Sequence, residues 1–151
     1  MEGSQNTFQR RVHALEESED DSLSDWDLAT LLDCSERHVR SLRQRPDEEV
    51  RPAWILALEY ARVVGVNACG EIFETPPDRF RQLLHRVTLD LREVARMLGV
   101  APSTLRRYKM PTRELDVPRH YYLALLYIDH LYGRGEEPAA CRQHIEAFHS
   151  G

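Results

Sequence analysis

A chain of 151 residues, 42% hydrophobic and 30% charged, can bury one good core or two small ones, which excludes a wholly disordered polymer. No apolar run approaches a membrane span, the start MEGSQNTFQRR lacks a signal core, and three scattered cysteines do not make a disulfide framework, so the expectation is cytoplasmic, with no membrane. The net charge of −5 divides unequally: residues 1–75 hold 8 Lys and Arg against 16 Asp and Glu, while residues 76–135 hold 11 against 6.

In chain order, Phe8, Val12 and Leu15 share one face of a short helix. It runs out in EESEDDSLSDWD, residues 16–27, with seven acids and no base. That stretch reads either as a solvated connection or as a surface competing with phosphate for a basic partner. Leu28, Ala29 and Leu32 follow at helical spacing, and Ser35 caps a second helix from Glu36 to Arg45. The open face of that helix carries Arg37, His38, Arg40, Ser41, Arg43 and Arg45, which suit phosphate and base contacts. Glu36 reads as a helix-dipole partner or as an acceptor for a cytosine amino group. Pro46-Asp-Glu-Glu breaks the helix, and Pro52 starts another with Trp54, Ile55, Leu58, Ala61 and Val64 as its buried stripe. The Gly, Asn and Pro content of residues 65–77 marks a boundary, giving an acidic unit 1–66, a linker 67–77 and a basic unit 78–151. Ile72 and Phe73 within the linker are expected to pack on a core, so the units should dock.

The second unit opens with an amphipathic helix from Asp78 to Val87. Next come Leu91, Val94, Ala95 and Leu98 at helical spacing, a stop at Gly99, and a further helix from Pro102 with Leu105 and Tyr108 facing inward. Small Ala95 permits a close crossing, Gly99 can take the positive φ of a tight corner, and Pro102 suits a first helical position. Ser103, Thr104, Arg106, Arg107 and Lys109 remain on the open face. A shift of 66 positions lays Leu28, Ala29, Leu32, Val39 and Arg40 on Val94, Ala95, Leu98, Leu105 and Arg106, and Pro52 on Pro118, without a gap. A shift of 72 adds Phe8 on Phe80 and His13 on His85. Two copies of one helical unit are therefore expected. The helix from Pro118 to Tyr132 is apolar beyond a single stripe, so Tyr121, Tyr122, Leu125 and Tyr132 are expected at a homodimer interface, with docking inside the chain as the alternative. A last short helix spans Glu136 to His149 through Ala140, Ile145 and Phe148.

Ala95, Gly99, Val100, Leu105 and Arg106, with the Pro-started helix after them, resemble the lambda-repressor-like and Cro-like helix-turn-helix proteins of phages and bacteria. Ala101 stands where that family prefers a capping Ser or Thr. The resemblance implies DNA binding through the helix from Pro102, usually as a two-fold pair. The fold expected is all-α, with two related helix-turn-helix units docked on one another. The function expected is a sequence-specific double-stranded DNA-binding regulator, of repressor type. Ser103 and Arg107 would approach base edges, Thr104, Arg106 and Lys109 would hold phosphates, and Arg37, Arg40, Ser41 and Arg43 would take a second groove. The other reading is a phage-type inhibitor that binds a host protein through the acidic unit, resembling tandem helix-turn-helix anti-CRISPR proteins in layout. Phosphate-binding glycine loops and nucleophile motifs are missing, and His130, Cys141 and His144 match no standard zinc spacing. No enzymatic activity, cofactor or metal is expected.

Overall fold

A computed structural model describes residues 6–70, 77–87, 90–109, 117–133 and 138–150, and among these the secondary structure is helical throughout, without a strand. Helix α1 (Thr7–Glu19) begins at Asn6, whose carbonyl oxygen accepts from the Gln9 amide while its amide group donates to the Leu42 and Arg45 carbonyls. One side chain thus caps α1 and holds the end of α3 (Glu36–Gln44) against it. Helix α2 (Asp25–Leu32) starts in a capping box, with Ser24 and Asp27 each bonding the other's backbone amide. Much of the acidic run is therefore helical: Glu16, Glu17 and Glu19 end α1, and Asp25 and Asp27 occupy the first turn of α2, where the helix dipole favours them.

Asp33 closes α2 in the left-handed region at φ 63°, and Ser35 caps α3 by accepting from the His38 amide. A single 3-10 turn, Asp47–Glu49, leads to α4 (Pro52–Val64), and a break at Gly65 separates it from α5 (Val66–Gly70). The first four positions of the expected linker therefore lie in a helix, with the Cys69 side chain fully buried beside the first core. Ile72 and Phe73 lie outside the described residues. Helix α6 (Pro77–Arg86) is followed by α7 (Leu91–Leu98), capped by Asp90, and by α8 (Pro102–Lys109). The chain ends in α9 (Arg119–Gly133) and α10 (Pro138–Ser150). Ile145 of α10 is buried as its spacing predicts, Ala140 is exposed, and the Phe148 side chain is outside the described set.

The two paired short helices, α2 with α3 and α7 with α8, turn on the same backbone geometry. Gly99, at φ 74°, occupies the position 66 residues after Asp33, and both residues are left-handed. The Cys34 amide bonds Ala29 and the Val100 amide bonds Ala95, each at 3.0 Å. Asp tolerates the conformation because its short polar side chain fits it, and Gly adopts it without strain. Burial matches too: Ala29 and Ala95, Leu32 and Leu98, and Val39 and Leu105 are all buried.

Helices α4 and α9 make the most extensive helix pair. Helix α4 contributes Trp54, Ile55, Ala57 and Leu58 to the core under α1 to α3, and Ala53 and Leu56 to the core under α6 to α8. Leu123 of α9 crosses in the opposite sense, into the first core. Val64, expected in the buried stripe, is exposed, while Ala61 one turn earlier is fully buried. No helix among the described residues is long and apolar enough to cross a membrane.

Candidate nucleic-acid interface

The outward side of α8 is open. Ser103, Arg106 and Arg107 are exposed, and Thr104 and Lys109 are half-buried. Among the described residues, none of these five side chains is held by a hydrogen bond or ion pair within the chain. Leu105 anchors the helix from beneath, fully buried, and Tyr108 packs edge-on against Phe80 of α6 and Tyr121 of α9, with ring centroids 5.5 and 6.3 Å away. Burial raises the Tyr108 phenol pKa, with the Tyr121 ring adding to the rise and Arg107 opposing it, so the hydroxyl stays neutral. Arg92 and Arg96 extend the cationic surface onto exposed positions of α7, a contribution the sequence reading passed over.

The corresponding side of α3 is only partly available. Arg37 is exposed, and Arg40 is 58% exposed although its guanidinium lies 3.7 Å from Asp25. Arg43 is different: it is 22% exposed, and its Nε donates to Asp25 at 2.9 Å while Nη1 donates to Gln9 at 2.7 Å and Nη2 to the Leu23 carbonyl. It fastens α3 to α1 and to the start of α2, so its expected place on a DNA groove is corrected to a structural one. Ser41 is also occupied, because its hydroxyl accepts from Arg45 Nε at 2.9 Å. Helix spacing spreads residues 37, 40, 41 and 43 over nearly half a turn. Of the four, Arg37 and Arg40 are exposed, Arg40 with an ion pair to Asp25.

The expected dimer residues are placed inside the chain. Tyr121 and Leu125 are buried in the second core, and the Tyr121 hydroxyl accepts from Arg51 at 2.7 Å. Tyr122 and Tyr132 are partly buried against the same core. The excess apolar surface of α9 is covered by α4, so Tyr121 and Leu125 are corrected from an intermolecular to an intramolecular role. No family model, curated protein or solved structure matches the chain.

A column of rings links the two cationic helices. His38 on α3 packs on Trp54 with centroids 5.0 Å apart. Trp54 stacks on His120 at 3.5 Å and 10°, His120 meets Tyr121 at 4.6 Å, and Tyr121 meets Tyr108 on α8. His120 is 6% exposed and neither ring nitrogen completes a hydrogen bond. Burial is the main cause that pushes its pKa down to about 3, with Arg51 and His38 adding to the fall and the Leu32 backbone opposing it. His120 is thus a neutral stacking ring near neutral pH. The signal for this column was present in the apolar stretch Ala53–Leu58, which is wider than one stripe, as in α9.

A separate surface feature lies on α2. Trp26 is 62% exposed and stands beside a groove of about 390 Å³ with Leu23 and Leu31 as apolar lining and Glu19, Asp21 and Asp27 as acidic lining. Arg119 reaches the same groove and donates to the Thr30 carbonyl at 2.6 Å.

Proposed function

We propose that this chain is a double-stranded DNA-binding transcriptional regulator of repressor type, of the kind found in phages and bacteria, acting on DNA in the cytoplasm or at the nucleoid. The observation that carries the reading is the exposed side of α8, where Ser103, Arg106 and Arg107 project from a helix anchored by Leu105 and Tyr108. A helix of this length fits a major groove, and phosphate neutralisation supplies most of the affinity of such an interface. Arg106 and Lys109 hold phosphates with Thr104, Ser103 and Arg107 approach base edges, and Arg37 and Arg40 of α3 add a second set. The reading requires no catalytic group or cofactor.

The test is retention on duplex DNA across a salt series, for the native chain and for a variant with Arg106→Ala and Arg107→Ala. Expected is salt-sensitive binding whose log–log slope falls by about 0.9 for each phosphate contact removed. Undiminished binding by the variant, with an unchanged slope, refutes the assignment of α8.

The second reading, an inhibitor that binds a host protein, is favoured by the exposed Trp26 in its acidic groove. An exposed tryptophan beside three carboxylates matches a partner segment carrying Lys or Arg, through cation–π contact and charge. In that reading a host protein is captured in a manner that tolerates salt, and Trp26→Ala abolishes capture while leaving DNA retention intact.

A further inference from the structure

Core residues 66 positions apart are matched in burial, and in the column of rings, the spine of the molecule, one such pair is in contact. Trp54 and His120 are such a pair, and their rings stack at 3.5 Å. Contact between a residue and its own equivalent is the signature of a two-fold axis, where one patch meets a copy of itself. The surroundings repeat the relation. Pro52 at the start of α4 packs on the Gly99 corner, so closely that a Cβ on Gly99 would lie 2.2 Å from Pro52 Cδ. At the start of α9, next to Pro118, Arg119 bonds the Thr30 carbonyl beside the Asp33 corner. Helix α4 thus abuts the corner of the second half, and α9 reaches the last turns of α2, which lead to the corner of the first.

Resting on the DNA reading above, we infer that one copy of this chain occupies one asymmetric duplex site, reading two unlike half-sites in opposite orientation. The two-fold relation inverts α8 relative to α3. The side chains at equivalent positions differ: exposed Arg37 matches exposed Ser103, and half-buried Ser41, held by Arg45, matches exposed Arg107, while Arg40 and Arg106 agree. Unlike side chains read unlike bases, so the site is not a palindrome. The apolar faces that would join two copies already cover each other in α4 and α9, so a second copy is not required. The ring column also sets the scale. Its four steps from His38 to Tyr108 measure 5.0, 3.5, 4.6 and 6.3 Å, which brings the inner sides of α3 and α8 closer than the ~34 Å repeat of a duplex turn. The two half-sites therefore lie within about one turn of each other, not two.

The experiment is selection of bound duplexes from a randomised pool by the full chain, followed by stoichiometry in an analytical ultracentrifuge and hydroxyl-radical footprinting. Expected are a one-to-one complex and a non-palindromic consensus of two blocks. Changing Arg37→Ala with Arg40→Ala should reduce discrimination at least about tenfold in one block, and Arg106→Ala with Arg107→Ala in the other. These are exposed side chains, and circular dichroism checks that each variant stays folded. A palindromic consensus bound by two copies, or both blocks weakened equally by either variant, overturns the single-copy inference while sparing the DNA reading. Absence of any salt-sensitive duplex binding overturns both.

Discussion

Gly99→Ala is the substitution that most directly tests how the second corner is seated. Two costs act at that position. The backbone is left-handed at φ 74°, where a Cβ crowds the following carbonyl at about 1–2 kcal/mol. The new Cβ would also lie 2.2 Å from Pro52 Cδ and 3.0 Å from Cγ. Those atoms belong to a rigid ring at the first turn of α4, so α4 or the corner must shift, at about 1–3 kcal/mol for overpacking. The total of about 2–5 kcal/mol should lower the thermal midpoint by roughly 5–15 °C in a chain of this size. Urea denaturation separates the contributions. In a Pro52→Ala background the packing share should vanish and the backbone share remain, giving a coupling energy of about 1–3 kcal/mol between the two sites. Asp33→Gly is the control, since it keeps the left-handed turn and relieves strain, and it should stabilise by less than about 1 kcal/mol. A loss below about 1 kcal/mol for Gly99→Ala, or the same loss with and without Pro52, would refute the seating of this corner on α4.

Two further outcomes follow from named groups. His120 is held neutral in the fold, with its pKa near 3, but titrates near its ordinary value of 6.5 once unfolded. Between those values the unfolded chain binds the extra proton, so this group's contribution is fully present above pH 6.5 and falls by about 1.4 kcal/mol per unit as the pH drops toward 3. His120→Phe keeps a stacking ring without a proton site, and unfolding free energies from urea titrations at pH 7 and pH 5 should differ by about 2 kcal/mol less for the variant than for the parent. An identical acid loss in both would place the titration elsewhere. Arg43 and Arg40 share Asp25 as an acceptor but differ in exposure, 22% against 58%. Arg43→Ala should cost about 1–3 kcal/mol because Asp25 and Gln9 lose a partly buried partner, while Arg40→Ala should cost less than about 0.5 kcal/mol. Equal costs by thermal melting would contradict the assignment of Arg43 as a fastener.

Much of the helical order was legible because local signals agreed. Pro52 and Pro102 begin helices at the positions their missing amides favour, and the spacing from Leu91 to Leu98 specifies one helix down to its stop at Gly99. The acidic run was read as a solvated connection or a surface competing with phosphate because it holds seven acids and no base, yet its carboxylates serve as helix ends and caps, a local function that periodicity does not register. Tyr121 and Leu125 were assigned outward for a longer-range reason. A helix that is apolar on several sides announces a second contact but does not name it, and α4 carries a comparable excess from Ala53 to Leu58. Arg43 was misplaced because a sequence gives the spacing of cations along a helix, not the acceptors brought alongside by α1 and α2.

The acidic balance of the chain bears on DNA binding less than its total suggests, because charges separated by more than about 8 Å are screened at physiological salt. What a phosphate meets is the local set, and several acids of the first half are already engaged. Asp25 is matched by Arg43 and Arg40, the buried Glu59 by Arg62 with Arg11 at 4.0 Å, and Asp27 by the Ser24 amide. The carboxylates left outward, such as Glu17, Asp20 and Asp21, sit at the end of α1 and the turn that follows, and Asp21 lines the Trp26 groove. If those acids lie away from the duplex, neutralising Asp20 and Asp21 to Asn should change duplex affinity less than threefold at physiological salt, by the same screening. A larger gain in affinity would mean that this surface faces the phosphates, and the single-chain geometry argued from the spine would have to be redrawn with α1 beside the groove.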